Sequence, residues 1–464
     1  MIEELIHNFR KAHLVGIGGS GMSGIAEILI GEGFQVSGSD LAENDSIQRL
    51  RRLGADIHIG HRAELVENAE VVVYTSAVNA SHVEIQAAMI RRIPVIRRAE
   101  MLAELMRMKA GIAISGTHGK TTVTSLVSEI LIAGGLDPST IVGGKLIKAG
   151  TGTRSGKGDF IIAEADEFDK SFLKLTPMMV VITNIDSDHI ECYGNYDDLK
   201  NAFIQFANSV PFYGKAIVCM DDEPLKSIMS RVQRPVVTYG IDGDVNVKAT
   251  NLRYDRGYTR FEMIAYGDVV GEVKLPIPGR HNVRNALAAS AIGIELGIEF
   301  SAIQKGLEGF RGVHRRFEIL GEKGDVIVAD DFAHHPAEIA ATLEAAKTGW
   351  DRRVVAVFQP HLYSRTKELA VEFGRSLLAA DTVYVLPIFP AREEPIEGVS
   401  SGLVVEAAKA AGHRNVTMVE DRNQISSLVK NTVRSGDMVL TLGAGDVYEL
   451  STMIFEDLDG EIDD

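Results

Sequence analysis

Gly116-Thr117-His118-Gly119-Lys120-Thr121-Thr122 follows the apolar run Gly111-Ile112-Ala113-Ile114-Ser115 and precedes Val123, Leu126, Val127, Ile130 and Leu131. Those last five recur at the spacing of one helical face. A glycine-bearing turn therefore joins a buried strand to a helix whose N-terminus faces the turn. Such a turn offers unpaired backbone N–H groups and the favourable end of the helix dipole to a polyphosphate. Lys120 is predicted to contact the β- and γ-phosphates of ATP, and the Thr121 hydroxyl to ligate Mg²⁺. The longer and commoner loop has its first glycine where this chain has Ile114, so the form here is the shorter Gly-x-x-Gly-Lys-Thr. The competing reading is a plain strand–turn–helix with a surface lysine.

Length and composition bound the rest. A chain of 464 residues implies about three domains. Hydrophobic residues at 45% and 45 glycines suit α/β domains with many tight turns. A net charge of −16 argues against a nucleic-acid surface, whose affinity rests on neutralising phosphates. Cys192 and Cys219 are the only cysteines, too few for a disulfide framework or a zinc cluster, which fits a reducing cytosol. Met1 to Lys11 has no apolar core of signal-peptide length, and no apolar run reaches that of a membrane span. The expectation is a soluble cytoplasmic protein that neither binds nucleic acid nor inserts into a membrane.

Outward to the N-terminal side, His13 to Ile17 reads as a strand and Gly18-Gly19-Ser20-Gly21-Met22-Ser23-Gly24 as the turn after it. Gly16, Gly18 and Gly21 match Gly-x-Gly-x-x-Gly, and Asp40 closes the next strand, Phe34 to Ser39. That is a dinucleotide fingerprint on its face. Its physics asks only for a pyrophosphate, which a UDP-sugar also carries. Further strands are predicted at Ile57 to Ile59, Val71 to Thr75 and Pro94 to Ile96, with Ser76 just past the second. A helix is predicted from Glu100 to Met108.

On the other side, Phe160 to Ala163 is a predicted strand ending in Glu164-Ala165-Asp166-Glu167. Met178 to Ile182 is another, ending in Thr183-Asn184-Ile185-Asp186-Ser187-Asp188-His189. Open α/β sheets bind ligands beyond the carboxyl ends of their strands, so both clusters are predicted to face the phosphate loop. A carboxylate there suits Mg²⁺. His189 reads equally as a ligand or as a hydrogen-bonding residue. From Val236 to Pro278 the pattern is β-rich, with a hairpin around Asp255-Arg256-Gly257. Gly279-Arg280-His281-Asn282-Val283-Arg284-Asn285 opens an alanine-rich helix, where Asn282 and Asn285 read as adenine contacts or as helix caps. His314-Arg315-Arg316-Phe317-Glu318 follows.

This series of motifs, in this order from about His13 to Tyr448, resembles the Mur ligase family, whose members form amide bonds at the expense of ATP in bacterial cell-wall synthesis. The run Gly-Ile-Gly-Gly-Ser-Gly-Met-Ser-Gly-Ile-Ala at Gly16 to Ala26 is similar to the branch that joins L-alanine to UDP-N-acetylmuramate. The resemblance implies three domains: a Rossmann-like UDP-sugar domain (1–107), a central ATP domain with a mostly parallel sheet and an antiparallel portion (108–317), and a Rossmann-like C-terminal domain (318–464). It implies Glu164 and Thr121 as Mg²⁺ ligands and His189 at a second metal. Lys120, Glu164 and His189 thus form the expected catalytic set. Asn285 is implied at the adenine, Arg316 at the phosphates and Asp331 near the ribose. Gly18, Gly19, Ser20, Gly21, Met22, Asp40 and Ser76 are the expected UDP-sugar contacts. Phe168 departs from the serine of the family pattern.

The C-terminal segment repeats the strand–polar cluster theme: Val326 to Ala329 before Asp330 and Asp331, Val354 to Phe358 before Gln359 to Thr366, then Val383 to Leu386 and Val439 to Leu442. A helix is predicted from Pro336 to Lys347, and the acidic tail Glu456 to Asp464 is predicted to be disordered. The resemblance implies Arg365 at the carboxylate of the amino acid, with His334, His335 and His361 lining the pocket. Leu362 stands where some members carry arginine. The expected reaction is phosphorylation of the lactyl carboxylate by ATP and attack of the alanine amine, with the C-terminal domain closing over bound ligands. The rivals are a related ligase that attaches a preformed peptide, an NAD-dependent oxidoreductase, and a non-catalytic nucleotide sensor.

Overall fold

The structure is a computed structural model and describes residues 10–75, 77–144, 150–187 and 190–458, the side chains of Asp169 and Glu191 excepted. Ser76 and His189, expected at the sugar and metal sites, lie outside the described residues. Three sheets organise the chain. In the first, β1 (Lys11–Val15), β2 (Gln35–Asp40), β3 (Asp56–Ile59), β4 (Val71–Tyr74) and β5 (Val95–Arg97) run parallel in the order β3-β2-β1-β4-β5. The order reverses at β1, so the glycine turn after β1 stands at the switch point where such sheets bind ligands.

The second sheet contains β6 (Ala110–Ser115), β7 (Ser139–Ile141), β8 (Thr153–Arg154), β9 (Phe160–Glu164), β10 (Met179–Ile182), β11 (Lys215–Cys219), β12 (Val236–Gly240), β13 (Val247–Asp255), β14 (Tyr258–Ala265) and β15 (Asp268–Leu275). Its order is β15-β14-β13-β12-β11-β10-β6-β9-β7-β8. β6 pairs in parallel with both β9 and β10, which again puts a glycine turn at a switch point. The antiparallel portion is a meander with two-residue turns. Arg256 and Gly257 have φ of 43° and 85°, and Tyr266 and Gly267 have 53° and 93°. Positive φ at both central residues matches the twist of the flanking strands.

The third sheet orders β16 (Glu318–Lys323), β17 (Val326–Asp331), β18 (Arg353–Phe358), β19 (Thr382–Val385), β20 (Val416–Met418) and β21 (Asp437–Leu442) as β16-β17-β21-β18-β19-β20. Only β16, at the edge, pairs antiparallel. Ala329, Ala356 and Leu440 pack to one face, and Val328, Val355 and Val439 to the other. Both faces are covered, which explains the unbroken apolar runs.

The chain divides into two compact units. One holds Met1–Ala249, Met263–Gly271 and Arg284–Phe310; the other holds Thr250–Glu262, Glu272–Val283 and Arg311–Asp464. Thr250–Glu262, which the 108–317 boundary assigns to the central domain, thus groups with the C-terminal sheet. Within that unit the Gly257 N–H donates to Gly349 O at 3.2 Å, tying the hairpin tip to the end of the helix Pro336–Trp350.

Two local expectations are corrected. The turn read as Gly18 to Gly24 is mostly helix: Ser20–Gly31 is helical with Gly19 as its cap. The glycines serve packing, since a Cβ at Gly24 would lie 2.7 Å from Thr153 Oγ1. Of the tail expected to be disordered from Glu456 to Asp464, Glu456 and Asp457 end the helix Val447–Asp457, held by Leu450 and Ile454 in the core, and residues 459–464 lie outside the described residues.

Candidate active site

The phosphate loop is built as its sequence requires. Gly116 and Gly119 have φ of 125° and 86°, and the helix Lys120–Ala133 starts with no side chain capping its first turn. Its leading N–H groups are therefore presented to a ligand. The loop is also tied to the segment after β10. Thr183 Oγ1 donates to His118 O at 2.6 Å, the His118 N–H donates to Asn184 Oδ1 at 2.8 Å, and the Asp186 N–H donates to Thr117 Oγ1 at 2.8 Å. His118 Nε2 lies 3.1 Å from Asp186 Oδ2. A Cβ at Gly119 would lie 2.7 Å from Asn285 Oδ1, so Asn285 stands against the loop. Its neighbour Asn282 donates from Nδ2 to Pro278 O at 2.7 Å and has a helix-start role.

Lys120 is satisfied in a way the sequence did not reveal. Its Nζ donates to Gly116 O at 2.7 Å and Thr117 O at 3.2 Å, and lies 3.0 and 2.8 Å from the two oxygens of Glu167. Glu167 is 1% exposed. Burial works to lower the Lys120 pKa, but Glu167, Asp166 and Glu164 together hold it above the ordinary lysine value. Glu164 sits beside Ile114 in the β6–β9 register and accepts the Gly143 N–H at 2.8 Å. A carboxylate and the Thr121 hydroxyl flanking one phosphate loop are oxygen donors of the type Mg²⁺ takes. At Phe168, where the family pattern has serine, the backbone N–H donates to Asp166 Oδ1 at 3.2 Å.

At the first glycine turn the Gly18 N–H donates to Asp40 Oδ2 at 2.8 Å, and Asp40 Oδ1 accepts the Leu41 N–H at 2.7 Å. Asp40 therefore shapes the turn itself. Behind it lies a buried cluster that sequence reading did not assemble. Glu84 is fully buried and accepts from Ser39 Oγ at 2.6 Å and from the Arg62 N–H at 3.1 Å, with His13 Nε2 at 3.2 Å. Burial raises the Glu84 pKa, and His13, Ser39 and Arg62 outweigh it and bring it below the usual range. Ser39 O in turn receives the Gly16 and Ile17 N–H groups, so the cluster braces the turn. His58, by contrast, is surface-facing, near Asp56.

The second unit carries the remaining expected residues. Asp331 accepts the Phe317 and Ala333 N–H groups, both at 2.7 Å, and burial pushes its pKa up to about 6. Both of the paired arginines lie over the Phe332 ring; Arg315 donates to Asp330, Gly443 O and Gly445 O, and Arg316 has Glu338 at 3.7 Å. The His334 and His335 N–H groups both donate to Glu338. His334 and His361 rings lie 5.9 Å apart, and His361 stacks on Phe389. Burial, then His334 and Arg365, lowers the His361 pKa to about 4. His361 is thus neutral near pH 7, while Arg365, Arg392 and Arg316 bring positive charge to the group. Leu362 has φ of 69°, unusual for a branched side chain, and its N–H donates to Phe389 O at 2.9 Å.

No helix among the described residues is long and apolar enough to cross a membrane. Comparison with known proteins places the chain in a family. Residues 11–110 match the Mur ligase family catalytic domain, 114–293 the Mur ligase middle domain, and 315–445 the glutamate ligase domain of Mur ligases. The chain is 49% identical over 452 residues to the UDP-N-acetylmuramate–L-alanine ligase of Geotalea uraniireducens, covering 97% of this chain and 99% of that protein. It is 48% identical to the ligase of the same name from Salinibacter ruber, covering 97% and 96%. Among solved structures, the UDP-N-acetylmuramate–alanine ligase of Thermotoga maritima superposes with a TM-score of 0.78 at 29% identity, covering 96% of this chain and 98% of that one. With matches in all three segments and near-complete coverage of its relatives, this chain belongs to the Mur ligase family.

Proposed function

We propose that this chain joins L-alanine to the lactyl carboxylate of UDP-N-acetylmuramate with cleavage of ATP, giving UDP-N-acetylmuramoyl-L-alanine, ADP and phosphate, a step in making peptidoglycan precursors. The observation that carries this reading is the uncapped helix start at Lys120, on a chain nearly half identical, end to end, to relatives bearing that name. The reaction belongs in the cytoplasm, where all three substrates are soluble. The three sheets correspond to three domains, with limits near residues 107 and 317.

A carboxylate is a poor electrophile at neutral pH. Phosphorylation by ATP converts it to an acyl phosphate, ADP leaves, and the neutral amine of alanine attacks the acyl carbon. The tetrahedral intermediate expels phosphate, and the amine proton passes to solvent or phosphate. In this reading the first-turn N–H groups of the helix Lys120–Ala133 and the Lys120 ammonium hold the β- and γ-phosphates. Thr121 and Glu164 would hold Mg²⁺, which neutralises charge on the transferring phosphoryl group. Asn285 keeps the loop in shape at Gly119. The turn after β1 takes the pyrophosphate of the sugar nucleotide, and Arg365 takes the alanine carboxylate through paired donors.

Phosphate release from ATP, assayed with UDP-N-acetylmuramate against a panel of amino acids and a preformed peptide, tests the assignment. L-alanine is expected to give the highest kcat/KM. A preference for the peptide would transfer the chain to the rival ligase activity. Tight NADH binding without phosphate release would return it to the oxidoreductases.

A further inference from the structure

The three protons of the Lys120 ammonium each have a partner within the protein: one each for Gly116 O and Thr117 O, and one directed at the Glu167 carboxylate. Glu167 is held from behind. Its backbone carbonyl accepts from Tyr193 Oη at 2.5 Å and from the Lys170 N–H at 3.1 Å, which fixes the residue that carries the carboxylate. A lysine that is to reach a phosphate from this position must leave an excellent partner. A carboxylate 1% exposed must then lose its neutralising charge, which is costly in a buried site.

We propose that Glu167 is a positioning residue that holds the Lys120 ammonium and competes with the polyphosphate for it. The proposal rests on the reading that Lys120 contacts the phosphates. Glu164 accepts the Gly143 N–H at 2.8 Å and adds its charge at Lys120 from a greater remove. The competition sets nucleotide affinity. A lysine so held keeps the loop in its binding shape, and the binding energy of the phosphates is spent in part on freeing it.

The test is calorimetric titration with ADP in excess EDTA, so that no divalent ion takes part. Glu167→Gln keeps the shape of the side chain and can still accept from Nζ, but removes the charge that competes. Its Kd for ADP is expected to fall about fivefold or more below that of the unmodified protein. Glu167→Asp keeps the charge but withdraws it by one methylene, and is expected to tighten binding by less; it also serves if the glutamine variant does not fold. The Lys120→Met/Glu167→Gln double variant carries no charge at either position and is expected to bind ADP more weakly than the unmodified protein. If Glu167→Gln leaves affinity unchanged or weakens it while the double variant binds weakly, the competition is overturned and the phosphate role of Lys120 stands. If the double variant binds more tightly than the unmodified protein, the gain comes from removing a negative charge and not from releasing the lysine, which also overturns the proposal. A double variant as tight as the unmodified protein defeats the phosphate role of Lys120 itself.

Discussion

At Gly18 a single methyl group separates two ways the first glycine turn can depend on its glycine. A Cβ there would lie 2.7 Å from Asn44 Nδ2, 2.9 Å from Asp40 Oδ2 and 3.0 Å from Ile47 Cδ1. The crowding is with the protein's own turn and not with space for a ligand. Gly18→Ala should therefore displace Asp40 and break its bond to the Gly18 N–H. A raised KM for UDP-N-acetylmuramate together with a lowered Tm is expected, with the KM for ATP little changed; a KM effect without any loss of Tm would mean that the glycine faces the ligand. Asp222 gives a second test at this scale. It caps the helix Glu223–Ile228 through the Leu225 N–H at 2.9 Å, and burial raises its pKa to about 6. The folded protein thus holds this proton where the unfolded chain, near pH 4, has released it. Its contribution to stability is complete below about pH 4 and is lost as pH rises through about 6. Asp222→Asn, still a good cap, should remove a stability slope of at most about 1.4 kcal/mol per pH unit in that window. Denaturant midpoints of the two proteins from pH 4 to 6.5 measure it, and parallel curves would contradict the buried-proton account.

The strand–turn–helix at β6 was legible because its signals are local: an apolar run, two glycines, a lysine and a helical stripe, all between Gly111 and Leu131. The same holds for the turn after β13, where Gly257 already asks for positive φ. What did not show in the sequence is pairing across distance. Glu167 is 47 residues from Lys120, and only the β6–β9 pairing brings it there. Glu84 is 71 residues from His13, and nothing in a helix-start glutamate marks it as the centre of a buried cluster. The glycine run after β1 misled for a related reason, because glycine serves helix packing as well as turns. Gly116 joins both kinds of information. Its φ of 125° is unfavourable for any side chain, and a Cβ would lie 2.1 Å from Thr183 Oγ1. Gly116→Ala combines backbone strain of about 1–3 kcal/mol with separation of the loop from the segment after β10. Loss of ADP binding and a lower Tm are expected, with UDP-N-acetylmuramate binding retained in calorimetry; normal ADP affinity would show that the loop does not need its tie to Thr183.

Across the molecule the three sheets share one layout, each with polar residues beyond the carboxyl ends of its strands, and one substrate is proposed for each. Amino-acid choice is proposed for the third sheet, where His361 is neutral near pH 7 and the Arg365 guanidinium brings a positive charge near it. Arg365→Lys keeps that charge but loses the paired donors. The KM for L-alanine should rise at least about tenfold, a loss of ~1.4 kcal/mol, with those for ATP and the nucleotide sugar near their original values. A fall in Tm with no selective change in the alanine KM would make Arg365 a structural residue and move the amino-acid site elsewhere. The central claim, that ATP activates the lactyl carboxylate for attack by an amine, has a direct chemical signature. UDP-N-acetylmuramate labelled with ¹⁸O in both oxygens of that carboxylate should, with ATP and L-alanine, release phosphate carrying one ¹⁸O per molecule and leave the other in the new amide. Release of unlabelled phosphate, with both labels remaining on the sugar nucleotide, would contradict it.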